Sequence, residues 1–247
     1  MSSDSSESNK SGGPFTTTQW SLVLAAADSA NPESGRALEI LCGRYWYPIY
    51  AHARFMGHDQ DQAQDLTQGF FAYVLEKDVL KVADPQRGRF RAFLKGTFSH
   101  FLANERRTAR AQKRGAGKPN LPFEFNTAES RYRLEPVDAS TPELHFERTW
   151  ARTMLERSLD RLAAEMETKG ASERFRRLEP FLTGRPDGPS YREIGADLGM
   201  AEGAVKGAVH RLRQRFGRLL REEVAQTLGD SEQLEDELRH LFAVLDT

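Results

Sequence analysis

Residues 190–221 constrain the fold of this chain more than any other stretch. Their sequence is SYREIGADLGMAEGAVKGAVHRLRQRFGRLLR. Apolar residues recur at helical spacing at Tyr191, Ile194 and Leu198, and Gly199 then offers the left-handed conformation that ends helices. A second apolar stripe follows, made of Val205, Val209, Leu212, Phe216, Leu219 and Leu220. The stretch therefore predicts a short helix, a tight turn and a longer helix, which is the helix-turn-helix pattern.

The second predicted helix is cationic outside its apolar stripe. Its basic side chains are Lys206, His210, Arg211, Arg213, Arg215, Arg218 and Arg221. Glu202 is the one acid, and it lies in the first turn, where the helix dipole favours it. A solvated basic surface is the plainer interpretation of such a helix. The compact first helix, the glycine at the turn and the single sign of the charge favour binding in a DNA major groove instead.

Composition limits the class of protein without identifying it. The 247 residues suffice for one large or two small domains, and 38% hydrophobic with 29% charged residues fits a helix-rich soluble protein with modest cores. The net charge is −1, so the cations matter through their clustering and not through their number. We expect an all-α fold.

The sequence also indicates a compartment. No apolar run approaches the length of a membrane span, and the start MSSDSSESNKSGG lacks the features of a signal peptide. Cys42 is the single cysteine, so no internal disulfide can form, and its apolar neighbours favour a core position over a nucleophile. We therefore expect a cytoplasmic protein that has no contact with a membrane.

Residues 59–75 predict a helix with one unusual face. Leu66, Phe70 and Val74 recur at helical spacing and form its apolar stripe. The face carrying Asp61, Asp65 and Gln68 is left polar. From periodicity alone, a solvated helix face is the simplest interpretation of these three residues.

Residues 87–114 combine aromatic and basic side chains in one segment, RGRFRAFLKGTFSHFLANERRTARAQKR. Opened nucleic acid is bound by such mixtures, because cations hold its backbone and aromatic faces or pockets receive unstacked bases. The alternative is that the phenylalanines are core residues. We expect most of Phe90, Phe93, Phe98 and Phe101 to be buried, so that the preceding loop and the basic face meet DNA.

The chain divides into five segments by composition and periodicity. Residues 1–14 are expected to be disordered, 15–114 and 143–224 to be helical modules, 115–142 to be a linker, and 225–247 to be an acidic extension with one amphipathic helix. The linker has no sustained period, but its aromatics, Phe123, Phe125 and Tyr132, indicate packing against another part of the chain.

Three motifs together resemble one protein family. They are SYREIGADLGMAEGAVKGAVHRLRQRF, AQDLTQGFFAYV and FRAFLKGTFSHFLANERR. They are similar to regions 4 and 2 of sigma-70-type RNA polymerase initiation factors of the small extracytoplasmic-function group, which keeps only these two domains. The resemblance extends over roughly residues 35–114 and 143–223, most of the chain.

The resemblance implies a role for each motif in promoter-specific transcription initiation. Asp61, Asp65 and Gln68 stand where the family contacts the coiled-coil clamp of the polymerase largest subunit. The loop before the third motif, and the helix that carries it, stand where the family recognises and melts the −10 element and captures a flipped base. The residues implied in that role are Asp84, Gln86, Arg87, Arg89, Lys95, Asn104, Arg106, Arg107 and Arg110.

The resemblance likewise makes the basic helix the reader of the −35 element, through Lys206, His210, Arg211, Arg213 and Arg215. It implies core RNA polymerase and promoter DNA as partners, with a separate anti-sigma protein as a further candidate. It implies neither enzymatic activity nor a cofactor.

The chain departs from the family pattern at several positions of the helix-turn-helix. Gly195 replaces the usual alanine, and Gly203 and Gly207 inside the recognition helix each cost about 1 kcal/mol relative to alanine. Ala201 replaces a serine cap, a loss of about 1 kcal/mol. These departures leave the base contacts at the −35 element open, whereas the intact apolar stripe predicts that the fold survives.

Two other classes of function stay open from the residues. The first is a stand-alone helix-turn-helix regulator that binds duplex DNA without polymerase. The second is an enzyme using the carboxylates near Asp61, although Asp59, Asp61 and Asp65 lack the glycine and terminal glutamate of a calcium loop, so no metal site is predicted. We also hypothesise that the acidic extension competes with DNA for the basic helices.

Overall fold

The protein is built from helices. The computed structural model describes residues 23, 25–28, 30–84, 89–111, 123–134, 141–182, 189–226, 228 and 233–246. Within these ranges every regular element is helical and there is no strand, so the expected all-α class is confirmed. The disordered N-terminus predicted for residues 1–14 lies outside the described residues.

Nine α-helices succeed one another in the described ranges. They are α1 (Ser34–Phe55), α2 (Gln60–Glu76), α3 (Phe90–Ala111), α4 (Phe125–Leu134), α5 (Pro142–Thr168), α6 (Ser172–Leu178), α7 (Tyr191–Leu198), α8 (Glu202–Ala225) and α9 (Leu234–Leu245). Short 3-10 helices, Val79–Val82 and Glu179–Phe181, follow α2 and α6. The helices predicted from periodicity correspond to α1, α2, α3 and α5 through α9.

A first hydrophobic cluster forms where α1, α2 and α3 pack together. Tyr45, Phe70 and Phe98 are completely buried in it, with the Phe70 and Phe98 rings edge to face at 5.0 Å between centroids. Such edge-to-face pairs are favourable beyond the area they bury. The expectation that most phenylalanines of α3 are core residues is confirmed, since Phe90 and Phe101 are also buried and Phe93 packs partly buried against the same cluster.

Helix α4 lies inside the segment predicted to be a linker. The Tyr50 hydroxyl donates to Glu129 Oε2 at 2.5 Å, and Arg54 donates to both oxygens of that carboxylate at 3.0 and 3.1 Å. The Arg131 guanidinium also lies over the Tyr47 ring, 3.6 Å from its centroid. All these partners belong to α1. The helix was therefore missed because distant side chains, and not its own periodicity, hold it in place.

Helix α5 belongs to two cores. Phe146 and Trp150, in its first half, are completely buried in the cluster made by α1 to α3. Leu162, in its second half, is completely buried in a second cluster with α6, α7 and α8. The hydrophobic clusters thus separate within α5, whereas the sequence places a module boundary just before this helix.

The end of α8 packs in the first cluster, and a buried carboxylate lies on this part of the helix. Glu223 is 2% exposed and receives Arg44 from α1 at 3.3 Å and Arg161 from α5 at 2.9 Å. Arg157 of α5 lies 3.5 Å from the same carboxylate. Burial alone would raise the pKa of Glu223, but the three guanidinium groups outweigh it and hold the pKa below its usual range.

We expect Glu223→Gln to lower the free energy of unfolding by about 3 kcal/mol, because it leaves the buried Arg44 guanidinium without its counter-charge. Urea titration followed by circular dichroism measures this change. The matched control is Glu222→Gln, since Glu222 is the exposed neighbour that pairs with Arg161 at 2.7 Å. That control should cost less than about 1 kcal/mol. Equal losses in the two variants would contradict a special role for the buried carboxylate.

His52 is a titratable group inside the first core. It is 3% exposed, and its ring lies 6.1 Å from the Phe98 ring and 5.7 Å from the Phe146 ring, between centroids. Burial, and to a smaller extent the nearby His145, lower the pKa of His52 to about 4. The folded protein therefore keeps this imidazole neutral at pH values where the unfolded chain binds a proton.

We expect acid to destabilise the fold by about 2 kcal/mol between pH 7 and pH 5 through His52 alone. The sign follows because the unfolded chain binds more protons than the folded one in this range, so stability falls as the pH falls. Thermal unfolding at several pH values measures it. His52→Leu should flatten the pH dependence, and His100→Gln, at an exposed position, should not. An unchanged slope in His52→Leu would refute this assignment.

Candidate nucleic-acid interface

The helix-turn-helix is made by α7 and α8, with a capped start and a glycine turn. The Ser190 hydroxyl accepts from the Glu193 backbone N–H at 3.2 Å, and the Glu193 carboxylate accepts from the Ser190 N–H at 2.7 Å, a reciprocal capping box. Helix α7 ends at Gly199, whose φ of 63° lies in the left-handed region. The predicted short helix, turn and long helix are confirmed.

Gly195 is required by the close approach of the turn to α7. Its carbonyl oxygen accepts from the Met200 N–H at 2.8 Å. A β-carbon at this position would lie only 2.6 Å from the Met200 carbonyl oxygen, so an alanine does not fit without movement of the backbone. The substitution that departs from the sigma-like pattern thus has a local steric reason.

The apolar stripe of α8 turns its cationic face outward. Val205, Val209 and Leu219 are almost completely buried in the second cluster, against Phe175 and Leu178. Because these residues occupy one side of α8, its basic residues are left on the other sides. Lys206, His210, Arg211 and Arg213 are all exposed.

The exposed cations of α8 differ in what they already contact. Lys206 Nζ lies 2.7 Å from Glu202, and Arg213 donates to the Phe181 carbonyl oxygen at 2.9 Å. His210 lies at 3.0 Å from the Gln214 amide. Arg211 has no ion-pair partner within the described part of the chain, so it can meet a phosphate without first breaking an ion pair.

Arg215 is bound within the protein. Its Nε and Nη2 donate to the two oxygens of Glu165 in α5 at 2.9 and 2.5 Å. The hydrogen bonds with Arg215 lower the pKa of Glu165, and the same bonds raise the pKa of Arg215. Arg215 therefore fastens α8 to α5 and is half-buried, whereas the other four residues predicted to read duplex DNA are exposed.

The second predicted DNA-binding set lies on and before α3. Asn104, Arg106 and Arg107 are exposed near the end of the described part of this helix, and Lys95 is half-buried nearer its start. Asp84 is half-buried at the edge of the preceding loop. The loop residues Gln86 and Arg87 and the side chain of Arg110 lie outside the described residues.

Arg89 and its neighbour Arg91, at the start of α3, are engaged by other parts of the protein. Arg89 Nε lies 2.9 Å from Glu237 of α9, and Arg91 pairs with the same carboxylate. From the sequence, Arg89 was predicted to bind DNA, and its ion pair with Glu237 was not predicted. The sequence did contain an indication that Glu237 is buried, because Glu237 lies on the same side of its helix as the apolar Leu234, Leu238 and Leu241.

Helix α2 presents the predicted polar face to solvent. Asp59 caps its start by accepting from the Gln62 N–H at 2.8 Å. Asp61 and Asp65 are exposed, and neither has an ion-pair partner in the described ranges; Gln68 is half-buried. These three side chains lie on one outward face because the opposite face packs into the first cluster.

The described residues give little support for a metal site or for a reactive thiol. No group of three or more His, Cys, Asp or Glu side chains is placed there to hold a metal ion. Burial raises the pKa of the Cys42 thiol to about 12, which disfavours the reactive thiolate. None of the described helices combines the length and the hydropathy that crossing a membrane demands.

Comparison with protein-family models, with curated proteins and with solved structures finds no match to this chain. The functional assignment therefore depends on the motifs of the sequence and on the surfaces of α2, α3 and α8.

We expect Gly195→Ala to lower the free energy of unfolding by about 1–3 kcal/mol, because the added methyl group collides with the Met200 carbonyl. Gly203→Ala is the matched control, since no atom lies within 4 Å of its β-carbon position. It should stabilise α8 by about 1 kcal/mol. Thermal unfolding of both variants tests the pair, and tolerance of Gly195→Ala would show that the turn relaxes easily.

Proposed function

We propose that this chain is a sigma factor that binds core RNA polymerase and directs promoter-specific initiation. In this proposal α2 and α3 belong to a module that recognises and melts the −10 element, and α7 and α8 form the module that binds the −35 element. The support consists of the three sigma-like motifs and of the surfaces on which the structure places their polar residues.

The exposed acidic face of α2 carries the proposal. Asp61 and Asp65 would contribute nothing to binding of duplex DNA, because carboxylates repel phosphates. A protein that must first join a polymerase needs a surface for that partner. The face is exposed and rich in charge, as a docking surface that gains specificity from electrostatic complementarity would be.

Helix α8 supplies the duplex-binding part of the mechanism. His210 and Arg211 project from the solvent side of a helix that the turn presents as a recognition helix. Lysine and arginine contacts to phosphates supply affinity that falls with salt, and a few side chains specify the sequence. With a net charge of only −1, this chain has little overall attraction to DNA, so binding depends on these local cations.

Helix α3 supplies the part that meets opened DNA. Arg106 and Arg107 are exposed and can hold the backbone of a displaced strand. The rings of Phe90, Phe98 and Phe101 are buried, so they do not stack on bases. In this proposal the loop that precedes α3 receives a flipped base, as the resemblance implies, and its contacts offset an unstacking cost of roughly a few kcal/mol.

Two weak contacts with DNA give strong binding when both are made by modules held on the same protein. On the polymerase, the −10 and −35 modules would be held at the spacing of the two promoter elements, so that the second contact becomes intramolecular. This accounts for a chain that carries two cationic helices and a separate docking face, and that needs no catalytic group of its own.

A stand-alone helix-turn-helix regulator is the second candidate, and one observation favours it. The end of α8, with Leu220 and Val224, is buried in the same cluster as α1 to α3. The two modules are therefore packed together, as in a protein that grips one duplex site by itself. Such a regulator would bind duplex DNA tightly without any polymerase.

The decisive experiment reconstitutes the chain with core RNA polymerase, selects bound fragments from a random duplex library and assays them by run-off transcription. We expect new transcripts that require the chain. Asp65→Asn should weaken polymerase binding by about tenfold or more, which corresponds to about 1.4 kcal/mol. Glu76→Gln, which removes an exposed acid at the end of the same helix, should not.

The contrary result is equally clear. If no transcript depends on the chain while the chain alone binds selected duplex DNA tightly, the regulator assignment replaces the sigma assignment. If Asp65→Asn also lowers the thermal stability, the acidic face serves the fold and not a partner.

A further inference from the structure

Helix α9 packs against the rest of the protein through its apolar side, at a binding site that we call the seat. Leu238, Leu241 and Val244 are buried in the first hydrophobic cluster, beside α5 and the end of α8. Arg148 of α5 is also buried and donates to the Val244 carbonyl oxygen at 3.0 Å. The acidic extension therefore has a defined binding site on the protein.

One carboxylate of α9 is buried with these leucines. Glu237 is completely inaccessible to solvent and pairs with both Arg89 and Arg91. Removing a carboxylate from water is costly unless cations replace the lost hydration. The two guanidinium groups therefore make this seat specific for an acid, and a leucine helix without Glu237 would not satisfy them.

The seat is balanced in charge. Arg91 also binds Glu147 of α5 at 2.5 Å and lies over the Trp150 ring, 4.3 Å from its centroid. Two arginines thus face two carboxylates, and His240 of α9 adds a contact to Glu147 at 3.2 Å. Without Glu237, one carboxylate would remain for two cations at the start of α3, which would leave an anion-binding position there.

Helix α9 contacts both cationic segments of the chain. Glu237 holds the residues that enter α3, and Glu235 lies 3.2 Å from Arg221 near the end of α8. The same short helix therefore ties together the two segments that the proposed function assigns to opened and to duplex DNA. Its outer face, with Asp236 and a half-exposed Phe242, is turned to solvent.

We propose that α9 is an autoinhibitory strap. Its Glu237 carboxylate occupies the position of a DNA phosphate on Arg89 and Arg91, and its contacts to α8 hold the two modules together. Release of α9 exposes the start of α3 and removes one of the contacts that tie the two modules together. The inference depends on the proposed DNA-binding role of α3, but it does not depend on polymerase being the partner.

The test compares Glu237→Gln with Asp236→Asn in the full-length chain. Both variants remove one negative charge from α9, so their long-range electrostatic effects on DNA are the same. Only Glu237 lies in the seat, whereas Asp236 is exposed and pairs with Arg239 at 2.7 Å within its own helix. The measurements are hydrogen exchange of α9 amides and affinity for a fluorescent single-stranded DNA of random sequence.

We expect Glu237→Gln to speed α9 exchange and to raise DNA affinity by about tenfold or more, with little change in Asp236→Asn. Leu238→Ala loosens the apolar side of the seat without altering charge, and it should act in the same direction if Glu237→Gln folds poorly. Faster α9 exchange without tighter DNA binding would overturn the proposal, as would unchanged exchange and affinity in both seat variants.

The strap and the sigma assignment fail separately. Tighter DNA binding by Glu237→Gln without any polymerase-dependent transcript supports the strap and rejects the sigma assignment. Polymerase-dependent transcription by the wild-type chain, with no gain in DNA affinity on loosening α9, rejects the strap and leaves the sigma assignment standing.

Discussion

The packing of the described helices depends on α5, a single helix that is buried in two hydrophobic cores. Each half of α5 carries large apolar side chains whose exposure to water would be costly. Its first half, with Trp150, completes the core of α1 to α3, and its second half, with Leu162, completes the core of the helix-turn-helix. Because a helix is stiff along its axis, the two cores are held at a set distance and orientation. The position of every candidate surface follows from this packing.

Two buried glutamates make that arrangement specific. Glu223 at the end of α8 and Glu237 in α9 are each paired with arginines from the N-terminal half of the chain. Apolar burial has no direction and would allow related packings, whereas a buried carboxylate has to meet its cations or lose several kcal/mol. These contacts oppose separation of the modules, and a sigma factor spanning two promoter elements would have to break them. The closed structure and the proposed function are thus compatible only if the contacts are reversible.

The site illustrates which features a sequence can predict. Local rules sufficed for the short helix after Ser190, the turn at Gly199 and the polar face of Asp61 and Asp65, since turns and periodicity act within one or two helical turns. They did not suffice for Arg215, which looks like another DNA-binding cation and is held by Glu165 from a helix fifty residues away. A basic residue is available to DNA only when no acid of the protein reaches it, and sequence spacing does not show that.

The helical class, most of the helices, the helix-turn-helix and the faces on which its charges lie can be predicted from the amino-acid sequence. The physical reason is that backbone hydrogen bonds, caps and amphipathic periods are local. Three features depend on tertiary packing instead: α4 forms inside an apparent linker, α5 joins two cores, and the acidic extension reaches Arg89 and Arg91. Each of these depends on side chains brought together from remote parts of the chain, and their energies exist only once the cores have formed.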